Sequence, residues 1–288
     1  MISPDLAQSL LSGILMGLIF ALVAVGLTLI WGIMDIVNFA HGDFLMSGMY
    51  ISYWMYALWG VDPLFSLPVS AVLLFFWGMI VYRVVIRRII GAPMLIQIFT
   101  TFGLLILMRY VAFFFFKPNY RSIQNPMVSG SIDLGGVYLT IPQLVAALGA
   151  FVTTGAVYVL IHRTRIGGAL QATSEDREAA ALMGVDTDWM FTLAWGIGGA
   201  TAGIAGSLLS NFFYIFPEVG GIFGLIAFVA VALGGFGNVA GAFFAGILIG
   251  VVEALAGYLY DPALKSVFVY ALFIGVLFCR PQGLLGVE

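Results

Sequence analysis

Ionisable side chains are scarce in this 288-residue sequence, so the few that interrupt its apolar runs mark where any chemistry must lie. Asp35–Asp43 reads DIVNFAHGD, Gly234–Gly241 reads GGFGNVAG, and Arg109 and Glu253 stand singly inside apolar runs. No nucleophile is matched with a base and an orienting group, so the sequence supports no catalytic constellation and points away from an enzyme. His41 and His162, the two histidines, are too far apart in the chain to suggest a metal site. A GxxxxGK loop followed by Ser or Thr is missing, which excludes nucleotide binding of the P-loop type and leaves the chain without a cofactor of its own. The groups that remain suit the lining of a polar path: Asn38, His41 and Gly42 in one break, Gly237 and Asn238 in the other, and Glu253. A charge at the centre of a membrane helix costs about 2.5 to 3.5 kcal/mol, so Glu253 must face protein or water. It reads either as a substrate contact or as an acceptor for a neighbouring helix. Arg109, near the end of its run, is expected to snorkel to the interface.

Those groups need an apolar scaffold, and the composition supplies one. Residues are 62% hydrophobic and 9% charged, with a mean hydropathy of +1.10, against roughly 25% charged in soluble domains. The chain is therefore an integral membrane protein, surrounded by lipid. Apolar runs near 20 residues indicate membrane helices, since barrel strands are shorter and alternate. A net charge of -3 argues against nucleic acid, and the single Cys279 excludes an intrachain disulfide. The start, MISPDLAQ, lacks the basic region of a signal peptide, so the first apolar segment is expected to be retained.

Nine apolar windows fall at 10–31, 44–59, 64–82, 95–116, 141–161, 191–212, 221–233, 239–258 and 266–279. The expected fold is all-α, a polytopic bundle of about 8–10 transmembrane segments in one domain, 1–288. Arg83, Arg87 and Arg88 mark one loop, and Arg163, Arg165 and Arg177 another. Placing both loops in the cytoplasm, as the positive-inside rule requires, puts the N-terminus outside and the C-terminus with Arg280 inside. Lys117–Thr140, with Pro118, Asn119, Asn125, Pro126 and the Gly130-Ser131 pair, is then an outer turn-rich cap.

The two polar breaks disturb clean helices. On a helix Asp35, Asn38 and His41 would lie within about 120° of one another and Asp43 elsewhere, so a partly unwound stretch fits better. Non-helical backbone at membrane depth is tolerated where it is buried in protein or lines a cavity. Asn38-Phe39-Ala40-His41-Gly42 also parallels Asn238-Val239-Ala240-Gly241. Two readings stand, an internal repeat with interrupted helices or two glycine-rich turns. Gly13 and Gly17, Gly199 and Gly203, and Gly246 and Gly250 mark close helix packing, within the subunit or against a partner.

The longest polar interruption is Ile161–Met190, with a loop at 163–190. Thr173 followed by Asp176 is a capping pattern, so a helix of about ten residues is expected to start there. Glu175, Asp176 and Glu178 would sit in its positive first turns and Gly184 would end it. Glu178-Ala179-Ala180-Ala181-Leu182-Met183-Gly184 has the form EAAxxxG and resembles the coupling-helix motif of ABC importer permeases. In it, small Ala179 and Ala180 would admit a partner and Leu182 and Met183 would offer an apolar face.

A second resemblance covers essentially the whole chain. Asn38-Phe39-Ala40-His41-Gly42-Asp43 with Met46, Gly48 and Tyr50 is similar to the N-terminal hallmark of LivH-like permeases, the branched-chain amino-acid subfamily of ABC importers. Gly234-Gly235-Phe236-Gly237-Asn238, Gly241-Ala242 and Arg280-Pro281-Gln282-Gly283-Leu284 resemble that family's C-terminal half. The resemblance implies a permease in the bacterial or archaeal plasma (inner) membrane. It also implies a second related permease, two cytoplasmic ABC ATPases that carry ATP and Mg, and an extracytoplasmic solute-binding protein. Urea and short-chain amide permeases look similar, so substrate stays open between these and amino acids. A stand-alone secondary transporter or channel is the other reading, and the scarcity of intramembrane ionisable groups argues against proton coupling.

Overall fold

A computed structural model describes residues 3–133 and 135–286. In chain order the α-helices are α1 (Pro4–Met34), α2 (His41–Trp59), α3 (Pro63–Val84), α4 (Met94–Phe116), α5 (Ile141–Arg163), α6 (Arg165–Glu175), α7 (Arg177–Leu182), α8 (Thr187–Leu209), α9 (Val219–Gly234), α10 (Val239–Leu259) and α11 (Lys265–Cys279). A hairpin of β1 (Ser131–Asp133) and β2 (Tyr138–Thr140) lies before α5. The protein is an all-α polytopic membrane protein, and each of the nine apolar windows corresponds to a helix. Among the described residues, seven helical stretches are long and apolar enough to cross a membrane; α2 and α9 are not among them. The expected outer cap contains the hairpin and a bridge from Arg121 to Ile215.

Local signals explain the boundaries. Ser3 accepts a hydrogen bond from Leu6 N at 3.3 Å at the start of α1, where Pro4 occupies a position that needs no donor. Asp62 caps α3 through Leu64 N and also accepts from Met127 N at 2.6 Å, tying the 117–140 segment to the bundle. Asn238 caps α10 through Gly241 N at 2.9 Å.

Among the long apolar helices, α1 and α8 are the most buried. Gly13 and Gly17 of α1 lie against Gly250 and Ile247 of α10, so close that an added Cβ would meet backbone at 2.7 Å. Gly199 and Gly203 of α8 meet Leu74 and Ser70 of α3 in the same way. These spaced glycines thus pack within the subunit. A serine chain adds directional contacts, Ser66 Oγ to Ser52 Oγ at 2.7 Å and Ser52 Oγ to Ser207 Oγ at 2.8 Å, joining α2, α3 and α8. The outward faces of α3, α4 and α11 carry exposed Phe76, Ile80, Leu107, Phe114, Ile274 and Phe278, as expected of surfaces solvated by lipid.

One end of the bundle gathers Ser3 with Tyr258 and Asp62 with Met127. The other gathers Arg87 with Asp188, and Asn238 with Leu285. Arg83, Arg163, Arg165, Arg177 and Arg280 share this second end by sequence continuity. The Arg-rich loops therefore lie together.

Candidate functional site

The chain turns back into the bundle twice. Asp35 ends α1 in a left-handed conformation, φ 54°. Residues 35–40 then climb back toward the bundle centre, where His41 Nε2 lies 3.1 Å from Val23 O. Val23 is about 16 Å up the helix from the end of α1, at 1.5 Å rise per residue. Extended backbone of six residues spans up to about 20 Å, enough for this return. Thr101 Oγ1 of α4 donates to Val37 O at 2.9 Å, which supplies a partner for backbone that the break leaves open. From the opposite end, residues 210–218 descend from α8 to α9. The two returning segments meet, with Gly42 of α2 directly against the backbone of Gly220 and Gly224 of α9. Two helix N-termini therefore converge inside the bundle, and neither has a side-chain cap.

Charge is concentrated at this junction. Asp43, in the first turn of α2, is fully buried and faces Arg109 of α4, with Nε to Oδ1 at 3.4 Å and Nη2 to Oδ2 at 3.5 Å. Arg109 does not snorkel away as expected; a buried carboxylate holds it inward. The partly unwound stretch expected here is present, since residues 35–40 are non-helical and α2 starts only at His41, which aims Asp43 at α4 while His41 faces α1. A cavity of about 490 Å³ opens here, bordered by Asn38, Arg109, Tyr110, Glu218 and Gly221. Of the groups expected to line a pathway, Asn38 is at this cavity. His41 is buried behind it against α1, and Gly42 forms the contact with α9. Arg109, Asp43 and Glu218 were missed as a group. Glu218 and its neighbour Pro217 were the available signal, hidden by the aromatic run Asn211-Phe212-Phe213-Tyr214-Ile215-Phe216.

Gly237 and Asn238 lie elsewhere, in a second cleft of about 550 Å³ at the Arg-rich end, with His162, Gln171, Ser174 and Glu175 on its wall. Asn238 both caps α10 and donates to Leu285 O at 2.7 Å, which pins the residues after α11. Asn38 and Asn238 do not meet. Glu253 is half-buried on α10, away from both cavities, with Lys265 the charged group acting on it.

The polar loop is built differently from expectation. Thr164, not Thr173, caps a helix here, accepting from Gly167 N at 3.0 Å. Thr173 is already inside α6 and donates back to Ala169 O at 2.7 Å. Asp176 caps α7, accepting from Glu178 N and Ala179 N, both at 2.9 Å. Glu175 consequently ends α6 instead of starting a helix. Gly184 does take a left-handed conformation, φ 87°. On α7 Glu178 and Ala179 are exposed, but Ala180 is buried against its own chain. Leu182 and Met183 are 88% and 85% exposed. The loop is anchored beneath: the Arg177 guanidinium stacks 5.0 Å from the Phe191 ring, and Asp188 pairs with Arg87 at 3.0 Å and accepts from Tyr82 Oη at 2.8 Å. Among the described residues no cluster of His, Cys, Asp or Glu is placed to hold a metal.

Comparison with known proteins gives one consistent result. The family model described as "Branched-chain amino acid transport system / permease component" matches residues 9–277. The high-affinity branched-chain amino acid transport system permease protein LivH of Salmonella typhimurium is 32% identical over 97% of this chain and 95% of its own. BraD of Pseudomonas aeruginosa, described in the same terms, is 31% identical over the same shares. The probable branched-chain amino acid transport permease protein LivH of Methanocaldococcus jannaschii is 29% identical over 94% of this chain and 89% of its own. No solved structure matches the chain.

Proposed function

Because this chain belongs to the branched-chain amino acid transport system permease family, we propose that it is the membrane subunit of an ATP-driven importer for branched-chain or related amino acids. It works with a second related permease, two cytoplasmic ATPases that carry ATP and Mg, and an extracytoplasmic solute-binding protein. The Arg-rich end is cytoplasmic, which puts the N-terminus outside and the C-terminus inside the plasma (inner) membrane. ATP hydrolysis on the partners moves the bundle between outward and inward openings.

The observation that carries this reading is the loop at α7. Two large apolar side chains, Leu182 and Met183, project into solvent from a capped helix whose other side is fixed to α8 by Arg177 on the Phe191 ring. Exposed apolar side chains on an anchored polar loop favour a protein partner, because burying each removes about 1.5 to 3 kcal/mol worth of apolar surface from water. Glu178 supplies a charge beside them and Ala179 leaves room for close approach. A push at Leu182 passes through Arg177 and Phe191 into α8, whose middle packs against α2.

The test is uptake in proteoliposomes. With the ATPases present, charge reversal Glu178→Lys or bulky Ala179→Trp is expected to leave ATP hydrolysis and abolish its coupling to uptake. Full uptake by this chain alone without nucleotide would reject the proposal in favour of a stand-alone transporter.

A further inference from the structure

We infer that the cavity where α2 and α9 meet is the subsite that holds the substrate's α-amino-acid group, with the carboxylate at Arg109, Asn38 and the first turn of α9, and the ammonium at Glu218. This rests on the permease reading and deepens it by assigning the residues that would receive the substrate's carboxylate and its ammonium.

Four observations converge. Asn38 is 3% exposed, its Oδ1 is used by Ala40 N at 3.1 Å, and its Nδ2 is buried without a partner. A buried amide N–H left unpaired costs about 1 to 3 kcal/mol, so a ligand acceptor there would relieve a standing penalty. The Arg109 guanidinium carries five N–H donors, yet the described residues give it only the two long contacts to Asp43. Arg109 itself borders the cavity, which leaves its spare donors to a bound group. The α9 N-terminus lies beside it, close enough that a Cβ on Gly221 would come 3.1 Å from Arg109 Nη2. The positive end of a helix that no side chain caps and a guanidinium on one wall favour a second anion, and a planar carboxylate suits the guanidinium fork. Glu218 is exposed on the same cavity and makes no cap to its own helix, so it is free to accept from a cation.

The rest of the wall is apolar, with Phe102, Leu105, Ile106, Leu225 and Phe228. That pairing of one ionic corner with an aliphatic wall matches an amino acid with a hydrocarbon side chain. A free inorganic anion would face Glu218 and the apolar wall, and an amide would leave Arg109 unmatched. The size, about 490 Å³, lies in the range of small-molecule sites. Convergent half-buried helix N-termini at membrane depth are a recurrent device for anionic groups in transport proteins.

The experiment uses the purified permease complex without its solute-binding protein, so that only the membrane site selects. Binding of radiolabelled leucine is competed with unlabelled leucine and with leucinamide. Leucine is expected to compete at least tenfold better. Asn38→Asp keeps the oxygen that caps the turn and replaces the donor by a carboxylate; it is expected to weaken leucine at least tenfold. The paired variant Asp43→Asn with Arg109→Gln removes both charges together and is expected to stay folded yet lose leucine binding. Equal competition by leucinamide, absence of saturable leucine binding, or normal binding in the paired variant would overturn the subsite and leave the permease reading standing. Loss of ATP-driven uptake in the unmodified complex would instead remove the permease reading.

Discussion

The junction at Gly42 and Gly220 and the loop at Leu182 and Met183 solve opposite problems of solvent. At the junction, charged and polar groups sit in an apolar body, and each has to be matched from within the chain or by a bound solute. At the loop, apolar groups sit in water and the polar residues around them are satisfied, so what is missing is an apolar surface to cover them. The first arrangement is tight, with backbone against backbone at Gly42 and a fully buried Asp43. The second is open, with only Ala180 of its short helix buried. Substitutions at the junction should therefore register as stability, while those at the loop should register as coupling.

The largest expected effect is Asp43→Asn. It leaves the Arg109 guanidinium without its carboxylate and should cost about 3 to 5 kcal/mol, the range for breaking a buried ion pair from one side. Thermal melting in detergent checks this, and adding Arg109→Gln should recover most of the loss. If Asp43→Asn melts like the wild type, the junction is more hydrated than its burial implies and the contrast with the loop collapses. Next is Gly42→Val, whose side chain has nowhere to go except into the backbone of Gly220. A drop of about 1 to 3 kcal/mol is expected from overpacking, again read by melting.

At the loop, Gly184→Ala tests conformation more than packing. Open space surrounds Gly184, but its φ of 87° disfavours any side chain, so a cost of about 1 kcal/mol is expected. The smallest stability effect, within about 0.5 kcal/mol, belongs to Leu182→Asp with Met183→Asp, because neither side chain is buried in the chain. That variant should nonetheless lose ATP-driven uptake while retaining its melting temperature. A large melting shift there would mean that the loop packs on its own bundle.

How much of this was legible follows from range. Helix windows depend on composition over about 20 residues, so all nine were readable. Close packing at Gly13, Gly17, Gly199 and Gly203 was readable as a spacing, but its partners in α10 and α3 were not, since nothing in the spacing separates an internal neighbour from another subunit. Asn38 was found because a polar break in an apolar chain is a local signal. The Arg109 to Asp43 pair was not, since it joins positions 66 residues apart and depends on where α2 begins. An unwound stretch at 35–43 was expected, but an unwound backbone does not tell which neighbour Asp43 will face. The second returning segment escaped because its apolar residues extend the preceding run up to Pro217 and Glu218. Thr173 misled for a related reason: its spacing to Asp176 fits a cap, but the helix begun at Thr164 had already enclosed it.

The central claim, that Leu182 and Met183 form the contact through which an ATPase moves this chain, is tested most directly by cross-linking. With the single native cysteine Cys279 replaced by Ser, one cysteine is placed at Leu182 and, in a separate control, one at the lipid-facing Phe114. Leu182→Cys should form a short-linker adduct with the ATPase subunit whose yield changes when ATP is added, and Phe114→Cys should form none. A chain that cross-links to the ATPase from Phe114→Cys, or not at all from Leu182→Cys in a complex that still couples hydrolysis to uptake, would contradict it.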